Sequence, residues 1–405
     1  MKHMRLLLLI GTAMLLSVGL LGCGSDDPTP TVAKAIPTAT AAAIATPTPS
    51  NSGSSKSPAP VPTATPRPVA KEPTPTPARD MAAYFGGKKI TIVVGTEAAG
   101  GYDLMARFFS KFAPKHFPGN PRFVVQNISG AGGLRGFQTM VKRDPNGLHA
   151  LTMTSGLIKS ELVGIDVPDL DLNTINWVGS PTWVEDDYSI CADRLVVKSW
   201  AEALARKEPL TMAATSPGGR VPLGAHFVEL AGGPIKMVFG YSGSSSTLAA
   251  LQRGETSAST CIQRRDPKLF PELVENNRWV PLFWWNKKPD QAYLDQLGGP
   301  DPYYIFDLPG MNYTDAQKHM FETVVKLDKY LRMYVLHPDT PADIVAVWRH
   351  AFADTINDPE MIEAAQVGGY YTGLGDPEAF VDLFPTIRNL PPESIKMLQT
   401  LLGKS

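Results

Sequence analysis

Five short segments of the chain combine glycine with small polar residues in a pattern that suits anion binding. Glycine lets the backbone approach a ligand closely, and small neighbours leave backbone N–H groups uncovered. A segment that leads into a helix also offers the positive end of the helix dipole. The candidate ligand-binding residues are Ala99, Gly100, Gly101, Tyr102 and Asp103; Gly130, Ala131, Gly132 and Gly133; Thr154, Ser155 and Gly156; Ser216 and Gly218; and Tyr241, Ser242, Gly243 and Ser244. Tight turns explain the glycines of any single segment equally well, so the prediction depends on all five together.

Three aromatic rings and one carboxylate allow two interpretations each. Tyr102 and Tyr241 lie beside glycines, where a ring with one hydroxyl could close a pocket or pack in the core or at the surface. Trp183, a further candidate ligand-binding residue, could stack on a ligand or belong to the core. Asp103 could contact the ligand or cap the first turn of the helix that it opens.

Charged side chains near these segments also allow two interpretations each. Arg135 and Arg220 could each hold a carboxylate through two parallel hydrogen bonds, or they could lie exposed in solvent. Glu97 and the acidic residues 185–187 could bind a cationic group of the ligand. A solvated run of charges explains these acidic residues as well.

The elements that must position the five segments alternate between strand and helix. Residues 89–95 (KITIVVG) are a β-branched run, and residues 103–112 follow with apolar residues at helical spacing. The same order recurs further along the chain. Such alternation predicts open, mostly parallel sheets with helices on both faces. The loops after the strands then lie together at the carboxyl ends of the sheet, where ligands bind.

A change in pattern after residue 183 divides the folded body into two lobes. We expect residues 81–183 to form the first part of lobe 1 and residues 184–283 to form lobe 2. Residues 284–405 would return to lobe 1 and add the C-terminal helices, with residues 278–285 (RWVPLFWW) as the returning strand. Two crossings between lobes predict a hinged cleft.

The N-terminal part of the chain is not globular. Residues 1–22 have basic residues ahead of an apolar run and predict a signal peptide, since the run is shorter than the roughly 20 residues of a membrane span. Their end, LLGC, resembles the lipobox of bacterial lipoproteins, which implies lipidation of Cys23. Residues 23–80 are rich in Pro, Thr and Ala, and residues 24–80 contain no Phe, Tyr or Trp, so we expect a disordered, semi-stiff tether.

Composition and missing motifs exclude several classes of function. The 405 residues include 38 Lys and Arg against 39 Asp and Glu, so no overall positive field attracts nucleic acid. The sequence contains no G-x-S-x-G, H-E-x-x-H or G-x-x-x-x-G-K-[ST] motif, and its seven His do not cluster. We therefore expect no enzyme activity, no metal and no cofactor. A nicotinamide-dinucleotide-dependent enzyme remains an alternative because residues 130–136 form a relaxed dinucleotide fingerprint, and a surface adhesin on a Pro-rich stalk is another.

Cys191 and Cys261 are the cysteines of the folded body, and both are predicted to lie on strands of lobe 2. In an exported protein two such residues can form a disulfide, which we state as a hypothesis.

Several blocks of the sequence resemble, in order, the substrate-binding proteins of tripartite tricarboxylate transporters, the Bug family. They include residues 86–107 (GGKKITIVVGTEAAGGYDLMAR), residues 118–133 (PGNPRFVVQNISGAGG) and residues 143–156 (RDPNGLHALTMTSG). The resemblance covers about residues 84–390. The chain departs from it at Ser242, where the family commonly has a lysine, and at residues 256–257, where an acidic residue is missing.

The resemblance implies an α/β protein with a two-lobed type II periplasmic-binding-protein fold, in which each lobe is a mostly parallel sheet flanked by helices. It implies a solute-binding lipoprotein that captures a small carboxylate between hinged lobes and delivers it to membrane permease subunits. The Cys23 anchor would hold the exported protein on the lipid bilayer, at the outer face of the cell membrane or in the periplasm. We expect a monomer that binds no nucleic acid.

Overall fold

The computed structural model describes residues 79–183, 187–261, 276–368 and 372–404, with residues 182, 183, 187, 188, 221 and 331 described through their backbone alone. Contacts divide the chain into residues 1–74 and 75–405, and every element below belongs to the second unit. The predicted signal peptide, Cys23, nearly all of the predicted tether and acidic residues 185–186 lie outside the described residues. Predictions about them stay predictions.

The strands are β1 (Lys89–Val94), β2 (Arg122–Asn127), β3 (His149–Thr152), β4 (Asn176–Gly179), β5 (Thr182–Trp183), β6 (Asp187–Asp193), β7 (Leu210–Ala214), β8 (Ile235–Phe239), β9 (Ala258–Thr260), β10 (Trp279–Asn286), β11 (Tyr303–Tyr304), β12 (Tyr330–Leu331) and β13 (Tyr334–Leu336). Short 3-10 helices cover Ala113–His116, Ala131–Gly133, Ile305–Asp307 and Lys326–Lys329.

The α-helices are α1 (Met81–Phe85), α2 (Gly101–Phe112), α3 (Leu134–Val141), α4 (Ser155–Leu162), α5 (Trp200–Ala205), α6 (Arg220–Leu230), α7 (Ser244–Gln252), α8 (Gln291–Leu297), α9 (Asp315–Val325), α10 (Ala342–Ile356), α11 (Pro359–Gly368), α12 (Pro377–Val381), α13 (Phe384–Arg388) and α14 (Pro392–Leu401). None of these helices combines the length and the apolar composition of a transmembrane span.

Local sequence explains where several elements form. β1 (KITIVV) is β-branched and buried along nearly its whole length, which is typical of a strand covered on both faces. The Ser199 hydroxyl accepts a hydrogen bond from the Glu202 N–H at 3.2 Å and caps α5. At α9, Thr314 and Gln317 form a reciprocal capping box.

The two lobes contain sheets built on one plan. The lobe 1 sheet has the strand order β2-β1-β3-β13-β4, in which β1 runs parallel to β2 and β3 while β13 runs antiparallel to β3 and β4. The lobe 2 sheet has the order β11-β10-β6-β9-β7-β8, in which β7 runs parallel to β8 and β9 while β6 runs antiparallel to β9 and β10. The antiparallel strand is β13 in lobe 1 and β6 in lobe 2. Each of these two strands comes directly after the chain has crossed from the other lobe.

The two crossings lie side by side. β5 leaves lobe 1 and β12 returns to it, and these strands pair antiparallel through Tyr330 with Trp183 and Leu331 with Thr182. A pair of adjacent crossing strands forms the hinge that two lobes need in order to close over a ligand.

The predicted return through residues 278–285 is wrong. These residues form most of β10, which pairs antiparallel with β6 and parallel with β11 inside the lobe 2 sheet. A continuous apolar run indicates a buried strand but does not indicate the sheet to which it belongs. Lobe 2 continues past residue 283 through α9, whose Phe321 ring lies 4.6 Å from the Phe227 ring of α6, and the chain returns at β12.

Buried side chains join the lobes on one side. The largest hydrophobic cluster includes Leu151 of β3 and Met212 of β7, together with Phe321 of α9 and Leu398 of α14. α14 near the C-terminus therefore packs into a core that contains residues of both sheets, while α10 packs on lobe 1 through Trp348.

Candidate functional site

The five predicted segments form two groups in the structure. Residues 130–133 and 154–156 of lobe 1 meet residues 216–218 of lobe 2, where a Cβ placed on Gly218 would lie 3.0 Å from the Cα of Gly156. The Thr154 hydroxyl donates to the Gly132 carbonyl at 2.7 Å and holds the two lobe 1 segments together. Backbones of both lobes thus touch here, at the carboxyl ends of their strands.

The other group, which we call the Glu97 contact, consists of residues 97–101 of lobe 1 and residues 242–246 of lobe 2. The Glu97 carboxylate accepts hydrogen bonds from the Ser246 N–H at 3.0 Å and the Ser242 hydroxyl at 2.9 Å. The Gly101 N–H donates to the Ser244 hydroxyl at 3.3 Å, and the Ser245 hydroxyl donates to the Ala99 carbonyl at 3.1 Å. The predicted donors of residues 241–244 therefore lie next to a carboxylate of the chain itself.

Two helices begin inside the candidate segments. α2 starts at Gly101, two residues before the predicted Asp103, and α7 starts at Ser244. Glycine and serine are poor in helix interiors but fit the first turn, where N–H groups have no partner within the helix. Tyr102 and Ser244 therefore lie in the first turns of helices.

Residues in a left-handed backbone conformation border both groups. In the described ranges the residues with positive φ, other than Gly, Asn and Asp, are Ala99 (φ 62°), Ala131 (φ 47°) and Arg332 (φ 61°). The left-handed conformation costs roughly 1–2 kcal/mol for a residue with a Cβ. Such strain persists where the surroundings hold it, and it concentrates at functional sites.

Comparison with known proteins gives a match in structure. No protein-family model matches the chain, and no curated protein matches it in sequence. An R. palustris protein solved with adipate is 19% identical at a TM-score of 0.58, over 78% of this chain and 97% of its own. MatC from Rhodopseudomonas palustris with bound malate is 16% identical at a TM-score of 0.54, over 78% and 99%. The periplasmic binding protein BugD is 16% identical at a TM-score of 0.54, over 78% and 97%.

The chain has the fold of the periplasmic binding proteins. The predicted two-lobed α/β fold is confirmed, and the resemblance to the Bug proteins is confirmed in the fold. In this periplasmic-binding fold, the two groups of segments lie at the junction of the lobes.

Five further side chains form what we call the hinge cluster: Tyr102, Lys159, Arg220, Asp328 and Arg332. Asp328 and Arg332 flank the crossing strand β12, and the Arg332 guanidinium lies 5.7 Å from the centre of the Tyr102 ring. Arg220 opens α6 in lobe 2 and is 7% exposed. The cluster therefore draws on both lobes and on the hinge.

The Tyr102 hydroxyl lies at the N-terminus of α4. Burial raises its pKa above the ordinary value, while the Arg332 guanidinium and a hydrogen bond from the Ser155 N–H act in the opposite direction. The Arg220 guanidinium opposes the rise as well. A phenol with a raised pKa stays protonated at neutral pH and can donate a hydrogen bond to an anion.

Lys159 and Asp328 form an ion pair in the interior. The Lys159 ammonium donates to Asp328 Oδ1 at 2.7 Å, and the two side chains are 0% and 1% exposed. Burial lowers the pKa of Lys159, and the Asp328 charge opposes this effect. The pair ties α4 of lobe 1 to the segment that precedes the return crossing.

Sequence analysis missed Lys159, Asp328 and Arg332. Lys159 lies in α4 next to Ser160 and Glu161, so its local sequence does not indicate that it is buried. Asp328 follows Lys159 by 169 residues, so nothing local connects them.

Asp103 and Tyr241 make hydrogen bonds within the chain, and their roles in ligand binding, like that of Trp183, stay predictions. Asp103 Oδ2 accepts from the Ala99 N–H at 2.8 Å and from Arg107 at 2.9 Å, so Asp103 organises the loop before α2. Burial alone would raise the pKa of Asp103, but these hydrogen bonds outweigh it and lower the pKa. The Tyr241 N–H donates to the Ala214 carbonyl at 3.2 Å. Trp183 lies in β5, and its side chain lies outside the described atoms.

The two candidate arginines differ in exposure. Arg135 is exposed and its aliphatic stem lies against Gly130, whereas Arg220 is buried. In the part of the chain that the structure describes, no group of three or more His, Cys, Asp or Glu residues could hold a metal ion.

Cys191 of β6 and Cys261 after β9 are joined by a disulfide in lobe 2, with their Cα atoms 4.8 Å apart. Both side chains are buried beside Trp279 and Leu251. The bond lies in a hydrophobic core that α7 shares through Leu248 and Leu251, so we assign it a structural role.

Proposed function

We propose that the protein is an extracytoplasmic solute-binding protein that takes a small carboxylate between its lobes. The observation that carries this proposal is the surroundings of Tyr102. Its hydroxyl lies at the first amide of α4, beneath the Arg332 guanidinium and within the field of Arg220 from the other lobe. Adipate and malate, bound by two proteins of the same fold, are small carboxylates.

The chemistry of these groups suits a carboxylate. The start of α4, where the Ser155 N–H donates to the Tyr102 hydroxyl, offers the positive end of the helix dipole. Guanidinium groups stay protonated and match the two oxygens of a carboxylate. The protonated Tyr102 hydroxyl can supply a further donor. A solute carboxylate bound here would contact lobe 1, lobe 2 and the hinge at once, which couples binding to lobe closure.

A panel of small carboxylates, tested by thermal shift and calorimetry on the purified protein, checks the proposal. A carboxylate at about 100 times its dissociation constant would stabilise the bound form by roughly 2.7 kcal/mol. Arg332→Gln should weaken binding at least tenfold, because a charged hydrogen bond contributes about 1.5–3 kcal/mol. Arg122→Gln, which removes an exposed arginine of β2 in lobe 1, is the matched control. No response to any carboxylate, or equal losses in both variants, would argue against the site.

We further propose that Cys23 carries a lipid anchor and that residues 24–80 tether the binding body to the membrane surface. Two acyl chains on one cysteine are enough for stable anchoring. The mature protein should enter the detergent phase and carry a diacylglycerol on its N-terminal peptide. Cys23→Ser with an intact signal should lose this phase preference, and its unchanged recovery in membranes would refute the anchor.

Delivery of the solute to permease subunits of a tripartite tricarboxylate-type transporter, by a monomeric binding protein, completes the proposal. The likeness to BugD in fold supports this partner. Deletion of the protein should abolish uptake of the solute identified in the panel, and reintroduction of the wild type but not of Arg332→Gln should restore it. If the deletion leaves uptake of the solute unaffected, the proposed role in transport is wrong.

A further inference from the structure

We propose that Glu97 restricts the solute to a single carboxylate, because its own carboxylate fills the anion position at the N-terminus of α7. This inference rests on the proposed function and narrows its class of solute. Glu97 belongs to lobe 1 and α7 to lobe 2, so the position is filled when the lobes are together.

The carboxylate of Glu97 occupies α7 as a bound anion would. Oε1 accepts from the Ser246 N–H in the first turn at 3.0 Å, and Oε2 accepts from the Ser242 hydroxyl at 2.9 Å. The residue that precedes the helix is Gly243, which has no side chain to cap these donors. The cap of α7 therefore comes from the other lobe.

The absence of a side chain at Gly243 leaves room for the Glu97 carboxylate. The Gly243 φ of 176° is extended backbone that any residue adopts, so conformation does not select glycine here. A Cβ on Gly243 would lie 2.6 Å from both Cγ and Oε1 of Glu97, so a side chain at residue 243 would push the Glu97 side chain out of this position. The close fit between residue 243 and Glu97 marks the Glu97 contact as a built feature of the two lobes.

Two helix N-termini face each other across this contact. The Gly101 N–H at the start of α2 donates to the Ser244 hydroxyl at 3.3 Å, and the Glu97 N–H donates to the Ser242 carbonyl at 3.3 Å. The positive ends of α2 and α7 would repel each other, and the negative charge of Glu97 between them offsets that repulsion. A second carboxylate on the solute would meet this charge and find its donors already engaged.

The two ends of the solute therefore bind to different parts of the site. The Tyr102 and Ser155 side takes the one carboxylate of the solute, and the Glu97 side accepts an uncharged end. Removing the Glu97 carboxylate should vacate the α7 N-terminus for a second solute carboxylate.

Matched pairs of acids test this inference by calorimetry. Butyrate against succinate and hexanoate against adipate differ by one carboxylate at constant chain length. We expect the wild type to bind the monocarboxylate of a pair more tightly. Glu97→Ala should shift the ratio of affinities toward the dicarboxylate by about tenfold or more, since it removes a repelling charge and frees donors at a helix N-terminus.

Two further variants isolate the cause. Glu97→Gln keeps the size of the side chain and an accepting oxygen but removes the charge, so its ratio should lie between those of the wild type and Glu97→Ala. Glu363→Gln removes an exposed glutamate on α11 and should leave the ratio unchanged. Circular dichroism and melting curves establish that each variant is folded.

The outcomes separate this inference from the proposed function. A wild type that prefers the dicarboxylates, or a Glu97→Ala ratio equal to that of the wild type, overturns the role of Glu97 while carboxylate binding stands. A protein that binds none of the acids overturns the proposed function, and the inference with it.

Discussion

The hinge cluster and the Glu97 contact both use charged side chains to join distant parts of the chain, but they differ in their access to water. Lys159 and Asp328 are buried, whereas Glu97 is half-buried beside exposed Ser242 and Ser244. Breaking a buried pair leaves a charge without solvent or partner, whereas an exposed contact exchanges its partners for water at little cost. The comparison indicates that the hinge cluster is a permanent joint and that the Glu97 contact can open when a solute enters.

The largest effect should come from breaking the buried pair. Asp328→Ala leaves the Lys159 ammonium buried alone and should lower the free energy of unfolding by about 3–5 kcal/mol. At roughly 2–4 °C per kcal/mol the melting temperature should fall by about 10 °C. The double variant Lys159→Met with Asp328→Leu should lose less, because it leaves no buried charge. A single variant that is no less stable than the double variant would show that the pair is not the joint we describe.

The two candidate tyrosines distinguish the hinge cluster from the neighbourhood of the Glu97 contact. Tyr102→Phe removes the hydroxyl beside the Ser155 N–H and should weaken carboxylate binding by roughly five- to tenfold. Tyr241→Phe, the same change next to residues 242–246, should alter affinity less than twofold, which is within about 0.4 kcal/mol. Calorimetry on both variants gives the answer. The opposite ranking would move the carboxylate to the α7 side.

A smaller effect is expected from Ser242→Ala. This change removes one exposed hydrogen bond to Glu97, so the free energy of unfolding should change by no more than about 0.5 kcal/mol. The preference for monocarboxylates should weaken by roughly two- to threefold, since Glu97 keeps its bond from the Ser246 N–H. A loss of stability as large as that of Asp328→Ala would contradict the difference in strength between the Glu97 contact and the buried Lys159–Asp328 pair.

The last prediction is that raising the pH leaves carboxylate affinity unchanged. Burial raises the pKa of Tyr102, so its hydroxyl stays a donor where an ordinary tyrosine begins to ionise near pH 10. Carboxylate affinity should therefore be constant from about pH 7 to about pH 10. A fall in affinity within that range that is absent in Tyr102→Phe would mean that Tyr102 ionises as an exposed tyrosine does.

The repeating units of the fold could be predicted from the sequence because their signals are local. The run of residues 89–94 and the capped helix after Ser199 each carry their own pattern, and the order of such units predicts the sheet type. The return to lobe 1 could not be predicted in this way. β10 and β13 are both largely apolar, and only their pairing partners assign them to different lobes.

The candidate site divides along the same line. Segments such as residues 99–103 and 130–133 could be predicted as candidates because glycine reports on backbone geometry at its own position. Asp328 and Arg332 were not found, because their importance comes from partners more than 150 residues away in Lys159 and Tyr102. Residues 241–244 were predicted as donors, but nothing in the sequence around them indicates that Glu97 would reach this segment from the other lobe.

The disulfide has a consequence for the time at which each lobe becomes stable. Cys191 and Cys261 are 70 residues apart, and closing a loop of this length removes disorder from the unfolded chain equivalent to about 4 kcal/mol. Residues 79–181 contain no cysteine. In a reducing compartment lobe 2 thus lacks the stabilisation from the disulfide, while the stability of lobe 1 does not depend on reducing or oxidising conditions. Synthesis in a reducing cytoplasm would leave lobe 2 the looser half, and arrival in an oxidising compartment would complete it. Limited proteolysis with and without reductant should show this asymmetry, and equal protection of lobe 2 in both conditions would contradict it.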